Sequence, residues 1–490
     1  MADTTTFFID LFILLAAAVV AGEAARRLGQ AALVGQLLVG VILGPSLLGP
    51  FDGLSTLTPQ LGALQFLATV FILFMAGLDV VPGQIYRMGA STIMMGVAIF
   101  AVPFALISVV AKIFYPGPDA LFPLFLGLTL SITALPVMGI MLIEFGILKT
   151  TLGNLLINTA LVNELAAVTV FAVLLQLFSG TGTATLAVVV AALSVGVFLG
   201  AMLSIHSLLT VLSQNRWWVA TRQQLAGRWR SKEAGFAILM VGLIGASLFS
   251  QYMGLTFVVG AFYAGILVTK ESAGTEHHRT ISGVFEAMTW GFFIPLFFAF
   301  VGVQMNLRLL GSVEGLTIFG ALLATAVVAK LGTGFSVARF FGWPRSDALA
   351  IGHLVSSRGA VELAMAVILL SDGVFTTRVF TIVAGVGLVT TIIAPIAATS
   401  VWESAARDRK QYHVRISRRR DEALASARPL ESSLSFGILE DESGSIYVGT
   451  DVRPPKGAPP RPSDPDPGAA EPEDEPSEPG PPPLPTRRPP

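Results

Sequence analysis

Four ionisable residues lie inside stretches that are otherwise apolar enough to cross a membrane: Glu164, Lys330, Arg358 and Glu362. A charge at the bilayer centre costs about 2.5–3.5 kcal/mol on insertion scales, so such residues usually line a pathway or pair with each other. Arg358 and Glu362 are one helical turn apart and can form a structural ion pair. Lys330 could neutralise another buried acid. Glu164, in NTALVNELAAV, has no charged neighbour in its own stretch, and we expect its carboxylate to have a function.

Two of the apolar stretches contain polar and helix-breaking residues at mid-membrane depth. In TLSITALPVMGI these are Ser131, Thr133 and Pro136, and in HLVSSRGAVELAM they are Ser356, Ser357 and Gly359 beside Arg358. Non-helical backbone at this depth is tolerated only where it is buried or lines a cavity. Interrupted spans at matching places in two halves indicate a transporter site. For either stretch alone, a proline kink or a small-residue packing face is an equally good interpretation.

The composition of the chain is typical of a protein whose helices cross a bilayer. The 490 residues are 53% hydrophobic and only 13% charged, with a mean hydropathy of +0.73. Soluble domains are about 25% charged, so we expect an integral membrane protein. The absence of cysteine excludes disulfides, thiolate metal sites and cysteine nucleophiles. Residues 1–30 have no basic leading region and carry arginines after the apolar run, which predicts a first spanning helix rather than a signal peptide.

Apolar runs of helix length recur along the chain and predict an all-α polytopic fold with about thirteen transmembrane helices. The predicted spans are 7–25, 31–48, 60–78, 90–113, 120–144, 152–179, 184–211, 234–251, 254–269, 282–303, 315–338, 346–371 and 376–402. The two interrupted spans are the fifth and the twelfth. Their separation by seven predicts an inverted repeat of spans 1–6 on spans 8–13 around a linking seventh.

Lysine and arginine in the short loops predict the orientation, because they concentrate on the cytoplasmic side. One set of loops carries Arg26, Arg27, Arg87, Lys149, Arg216, Arg222, Arg228, Arg230, Lys232, Lys270, Arg279, Arg339 and Arg345. The alternate set holds only Lys112, Arg308 and Arg378. We therefore expect the N-terminus outside and the C-terminus in the cytoplasm.

The composition changes after the last span, so we divide the chain into a transmembrane domain, 1–402, a basic juxtamembrane segment, 403–453, and a proline-rich tail, 454–490. The basic segment is typical of a positive-inside stop, and contact with anionic lipid is the alternative. The tail has too few apolar residues to fold and is expected to be disordered. A polyproline-binding partner for PPPLP is the less favoured interpretation.

Seven motifs in order resemble the monovalent cation:proton antiporter-2 family, over about residues 7–402. They are GQLLVGVILGPSLLG (35–49), VFILFMAGLDV (70–80), SITALPVMGIMLIEFGIL (131–148), LINTALVNELAAV (156–168), GAFYAGIL (260–267), IPLFFAFVGVQMNL (294–307) and SSRGAVELAM (356–365). This family includes sodium/proton and potassium/proton exchangers and Kef-like potassium efflux proteins.

The resemblance implies a dimerisation domain, a core domain that moves as an elevator, and a homodimer. It implies that residues 131–136 and 356–359 are two broken helices that cross beside the ion site. Asn163 and Glu164 fall on the family's paired motif, with Glu in place of the usual second Asp. Asn163 implies electroneutral exchange, whereas Lys330 falls near a basic residue that accompanies electrogenic exchange. The resemblance therefore leaves the stoichiometry open.

We expect exchange of Na⁺ or K⁺ for H⁺ across the cell membrane, by competition for Glu164. Hard oxygen ligands suit alkali cations, and Glu164, Asn163, Thr133 and Ser131 offer them. The transported ions are substrates, and no cofactor or nucleic acid is expected. A cation channel or uniporter remains an alternative, as does a ligand sensor or organic-anion carrier that uses Arg358. An enzyme is not expected, because the histidines show no shared spacing with acids.

Overall fold

The structure is a computed structural model in which residues 2–47, 59–80, 88–117, 119–179, 184–214, 234–268, 283–426, 437–440 and 446–449 are described. Several predictions fall outside these residues: the disordered tail 454–490, and the loop residues Arg87, Arg216, Arg222, Arg228, Arg230, Lys232, Lys270 and Arg279. Residues 1–414 form one compact unit and residues 415–490 form a second.

The described part of the first unit is helical. The first half contains α1 (Ala2–Arg27), α2 (Ala32–Leu43), α3 (Pro59–Asp79), α4 (Ala90–Phe114), α5 (Leu121–Thr129), α6 (Leu135–Glu144) and α7 (Thr151–Ser179). The second half contains α8 (Ala184–Gln214), α9 (Ala234–Tyr252), α10 (Phe257–Leu267), α11 (Ile294–Gln304), α12 (Val313–Phe340), α13 (Arg345–Leu354), α14 (Ala360–Ser371) and α15 (Thr377–Ser426). One turn of π-helix, Thr289–Phe293, leads into α11, and a short 3₁₀-helix, Leu307–Leu310, follows α11.

Eight helices among the described residues are long and apolar enough to cross a membrane, and four shorter helices are also apolar. The two spans expected to be interrupted are indeed broken, one between α5 and α6 and the other between α13 and α14. The all-helical membrane fold is therefore confirmed for the described residues of the transmembrane region. The count of thirteen spans stays a prediction.

The C-terminal part of the chain differs from the expected pattern in two ways. Helix α15 continues to Ser426 instead of ending near residue 402. Strands β1 (Gly437–Glu440) and β2 (Ile446–Gly449) then form an antiparallel hairpin in which Ile438 pairs with Val448. Ile438 in β1 and Ile446, Tyr447 and Val448 in β2 are β-branched or aromatic residues, which favour strands, and the apolar periodicity of the spans carries no information about this pairing.

Two helix pairs pack closely through glycines. Helix α2 packs on α11, where a Cβ on Gly40 would meet the backbone of Ala299 and Gly302. Helix α3 packs on α10, where a Cβ on Gly77 would meet the backbone of Phe262 and Gly265. Small residues allow helix backbones to approach closely where lipid provides no hydrophobic driving force. We call α1, α2, α3, α9, α10 and α11 the scaffold helices.

Seven other helices position the polar residues of the interior. Helix α4 packs on α5, α7 and α12, and α12 packs on α13. We call α4, α5, α6, α7, α12, α13 and α14 the core helices. They bring the two helix breaks together next to the middle of α7 and α12, the helices that carry Glu164 and Lys330.

Candidate functional site

The two helix breaks, residues 130–134 and 355–359, cross each other, and we call this arrangement the crossover. Ala134 N donates to Ser357 O at 3.0 Å, and Ser357 Oγ donates to Ala134 O at 3.4 Å. A Cβ on Gly359 would lie 2.7 Å from the Cβ of Ala134. The crossing therefore requires glycine at position 359, and the breaks satisfy part of each other's backbone hydrogen bonding.

Asn163 holds the first break in place from the adjacent helix α7. Its Oδ1 accepts from Thr133 N at 2.8 Å, and its Nδ2 donates to Ser131 O at 3.4 Å. The side chain is fully buried. An amide suits this position because it supplies one acceptor and one donor to backbone groups that the broken helix leaves unpaired.

Glu164 lies beside the start of α6 and has one oxygen without a partner. Its Oε1 accepts from Leu135 N at 3.3 Å, at the N-terminus of α6. Its Oε2 is buried and has no hydrogen-bond partner among the described residues. The positive end of the α6 dipole favours a carboxylate here. The free oxygen can take a proton or coordinate a cation.

Lys330 contacts the crossover through Thr133. Its Nζ donates a short hydrogen bond to Thr133 Oγ1. The same hydroxyl donates to Val355 O at 2.9 Å, at the C-terminus of α13. Thr133 therefore places the ammonium of Lys330 next to a negative helix end, and its hydroxyl is already engaged by protein groups.

Arg358 and Glu362 form the predicted ion pair. Arg358 Nη1 lies 2.9 Å from Glu362 Oε1, and both side chains are 1% exposed. Arg358 Nη2 also donates to Leu130 O at 2.6 Å, at the C-terminus of α5. Glu362 lies in the first turn of α14. The pair thus stabilises two half-helix ends of opposite dipole sign.

The other predicted site residues have backbone roles. Ser131 Oγ donates to Leu128 O at 2.9 Å, and Ser356 Oγ donates to Gly352 O at 2.8 Å. Pro136 lies in the first turn of α6, where its missing N–H is tolerated. Of the four predicted ion ligands, Glu164 is the one with a buried side-chain oxygen, Oε2, that makes no hydrogen bond among the described residues.

Two buried threonines near the site were not predicted. Thr159 lies one turn before Asn163 on α7, and its hydroxyl has no partner among the described residues. Thr391 on α15 donates to Gly387 O at 2.7 Å, and its hydroxyl oxygen lies 3.4 Å from Arg358 O. The spacing of Thr159 and Asn163 is a usable signal, because residues four apart share a helix face. The proximity of Thr391 to Arg358 has no comparable signal in the sequence, since the two residues are 33 positions apart.

The chain is similar to curated cation/proton antiporters. It is 28% identical over 399 residues to cation/H(+) antiporter 18 of Arabidopsis thaliana, covering 79% of this chain and 48% of that protein. It is 27% identical over 394 residues to the Na(+)/H(+)-K(+) antiporter GerN of Bacillus cereus, covering 79% and 94%. The chain thus spans about half the length of the plant relative and nearly the whole length of the bacterial one.

A solved structure and a family pattern agree with these relatives. The sodium proton antiporter MjNhaP1 from Methanocaldococcus jannaschii superposes with a TM-score of 0.57 at 14% identity, covering 83% of this chain and 98% of that one, which supports the fold. The pattern of the transmembrane sodium/hydrogen exchanger family matches residues 13–403. With most of the chain inside that match, this protein belongs to the sodium/hydrogen exchanger family.

Proposed function

We propose that the chain exchanges a monovalent cation, Na⁺ or K⁺, for H⁺ at the carboxylate of Glu164. The observation that carries the proposal is the buried Oε2 of Glu164, which has no hydrogen-bond partner among the described residues and lies beside two broken helices. A carboxylate can be neutralised by a proton or by a dehydrated alkali cation, but the two compete for the same oxygen. If only the neutralised site moves between the membrane faces, competition alone couples the two gradients.

The relatives favour this chemistry over a channel or an anion carrier. GerN and the plant relative are named as cation/proton antiporters. Arg358, the residue on which an anion carrier would depend, already bonds Glu362 and Leu130 O. Its guanidinium is therefore engaged in holding the crossover, which supports a cation site.

The charges around the crossover support electroneutral exchange. Two acids, Glu164 and Glu362, face two bases, Lys330 and Arg358, and all four are buried. Lys330 bonds the side chain of Thr133, and Arg358 and Glu362 bond each other, whereas Glu164 bonds only the backbone N–H of Leu135 among the described residues. The group that exchanges its partner is then Glu164, and one proton replaces one cation. The transported site carries the same charge in both directions.

The same proposal includes the movement and the assembly. The core helices would move as an elevator against the scaffold helices, in a homodimer within the cell membrane. Helices α2 and α11 are spans 2 and 10, and helices α3 and α10 are spans 3 and 9. The predicted repeat relates span 2 to span 9 and span 10 to span 3, so the packing of α2 on α11 and of α3 on α10 is the same contact in the two halves. This match supports an inverted repeat. The lysine and arginine distribution supports an outside N-terminus and a cytoplasmic C-terminus.

Proteoliposomes that contain a pH-sensitive dye test the proposal. Na⁺, K⁺ and Li⁺ gradients are imposed in turn, with and without a clamped membrane potential. We expect at least one of these cations to drive proton movement, at a rate that the potential leaves unchanged.

The matched variants are Glu164→Gln and Glu23→Gln. Glu164→Gln keeps the shape of the side chain and should abolish cation-driven proton movement. Glu23 lies on α1 with its side chain 52% exposed, so its amide variant should transport like the parent. Cation-driven proton movement in Glu164→Gln contradicts the single-carboxylate mechanism. Cation flux that moves charge without counter-movement of protons indicates a channel.

A further inference from the structure

A cavity of about 300 Å³, open on the side of the exposed Leu203, lies between the site helix α7 and helices α8 and α10. Leu165 and Thr169 of α7, Met202 of α8, and Tyr263 and Ile266 of α10 contribute to its lining. Protein interiors are normally packed without gaps larger than a water molecule. The contact of α7 with α10 is therefore incompletely packed at this place.

One hydrogen bond crosses the interface at the cavity. Thr169 Oγ1 and Tyr263 OH are 2.9 Å apart. The threonine hydroxyl also donates to Leu165 O at 2.7 Å. A hydroxyl has a single hydrogen, so Tyr263 is the donor and Thr169 is the acceptor. The tyrosine is only 7% exposed, and this bond satisfies its hydroxyl.

The bond lies on the side of α7 away from the carboxylate. Thr169 follows Glu164 by five residues, which corresponds to about 140° of rotation and about 7.5 Å of rise along the helix. The crossover engages α7 through Asn163 and Leu135 N. Thr169 and Tyr263 therefore do not contact the ion site, although they hold the helix that presents it.

The two partners belong to groups of helices that are each packed closely. Helix α10 is fixed on α3, where a Cβ on Gly265 would meet the backbone of Phe74. Helix α7 is fixed to the crossover by the hydrogen bonds of Asn163 and Glu164. The interface between these groups contains the cavity and the hydroxyl bond, and it therefore offers less steric resistance to relative movement than a filled interface would.

We propose that Thr169 and Tyr263 form a clasp that holds α7 on α10 in this conformation and opens in each transport cycle. This inference rests on the proposed exchange function, because it assigns the movement of Glu164 to a sliding of α7 past α10. Thr169 and Tyr263 are positioning residues. They set how readily the site helix leaves this position, and Glu164 sets what it carries.

Cross-linking tests the clasp directly, since the chain contains no cysteine. Thr169→Cys/Tyr263→Cys is reconstituted and joined through the cavity with a short bifunctional methanethiosulfonate. We expect cation-driven proton movement to fall by about tenfold or more, a barrier increase of about 1.4 kcal/mol, and to return when dithiothreitol cleaves the link. The control pair is Ser250→Cys/Thr256→Cys, which joins α9 to the start of α10 where Ser250 Oγ donates to Thr256 O at 2.8 Å.

The control pair should transport at the same rate before and after linking, because both residues belong to the scaffold helices. Undiminished transport after complete linking of positions 169 and 263 overturns the clasp. A protein that lacks cation-driven proton movement before any substitution instead contradicts the proposed function, so the two failures are distinguishable.

The conservative variants Thr169→Val and Tyr263→Phe provide a second test. Loss of a neutral hydrogen bond, about 0.5–1.5 kcal/mol, should raise the maximal rate by about 2- to 12-fold. The apparent KM for the cation should stay within about twofold, since the ion site is untouched. The double variant should match the single ones, as both remove the same bond. Additive effects of the two variants, or a change confined to KM, contradict the proposal.

Discussion

Lys330 donates to the hydroxyl of Thr133 in the first break, while Glu164 accepts from the N–H of Leu135, two residues further on at the start of α6. The base and the acid thus bind different residues of one interrupted helix and form no salt bridge with each other. The sequence had suggested that Lys330 could neutralise another buried acid. The contact with Thr133 supports a role in holding the crossover.

We therefore predict that Lys330→Met keeps cation-driven proton movement and lowers thermal stability. Removal of the donor leaves Thr133 Oγ1 without its buried partner, a loss of about 1–3 kcal/mol. Thr133→Val should have a similar effect, and the double variant should be little worse than either single one. Melting of the purified protein and transport in proteoliposomes measure the two properties. A Lys330→Met protein with parental stability and no transport would show that the ammonium takes part in the exchange.

The ion pair of Arg358 and Glu362 predicts an asymmetric response to substitution. Arg358→Met leaves the buried carboxylate unpaired and should reduce the free energy of unfolding by about 3–5 kcal/mol. Arg358→Met/Glu362→Met removes both charges and should recover much of that loss. Arg27→Met is the control, because its side chain is 79% exposed and surface pairs contribute about 0–1 kcal/mol. Thermal melting of the parent protein and of the three variants measures their order of stability. A double variant less stable than Arg358→Met contradicts this account.

Asn163→Asp tests the charge balance of the exchange. A second carboxylate at the crossover can accept the N–H of Thr133 as the amide does, and it adds one titratable group beside Glu164. We expect transport that responds to membrane potential, whereas the parent does not. Proton movement at clamped potentials of both signs measures the difference. Asn158→Asp is the control on the same helix, since Asn158 lines a separate cavity of about 400 Å³. Voltage-independent transport by Asn163→Asp would show that the residue at position 163 does not set the charge balance of the exchange.

Gly40→Ala should disturb the packing of α2 on α11. An added Cβ would overlap the backbone of Ala299, so one of the two helices has to shift; overpacking costs about 1–3 kcal/mol. Gly196→Ala on α8 is the matched control, because a Cβ there meets nothing within 4 Å and alanine favours helix by about 1 kcal/mol. Melting temperatures should fall for the first variant and stay level or rise for the second. Equal melting temperatures of the two variants contradict the close packing of α2 on α11.

The apolar periodicity and the breaks were sufficient to predict the helices that form the site. Both interruptions fall at the expected spans, and the Arg358–Glu362 pair follows from a spacing of four on one helix. Partners remote in sequence were beyond that reasoning: Leu130 O lies 228 residues from Arg358, and Tyr263 lies 94 residues from Thr169. No periodicity encodes such pairs, since they depend on how helices pack. The hairpin after α15 was missed because it lies outside the apolar spans.

The reciprocal hydrogen bonds of Ala134 and Ser357 also bear on the biogenesis of the protein. The two residues are 223 positions apart, so the N-terminal break enters the membrane long before its partner has been synthesised. An unpaired backbone group in hydrocarbon costs several kcal/mol. The nascent first half must then remain near water or an insertion partner until the second half arrives. We expect chains truncated before position 355 to be degraded rather than to accumulate as half-proteins.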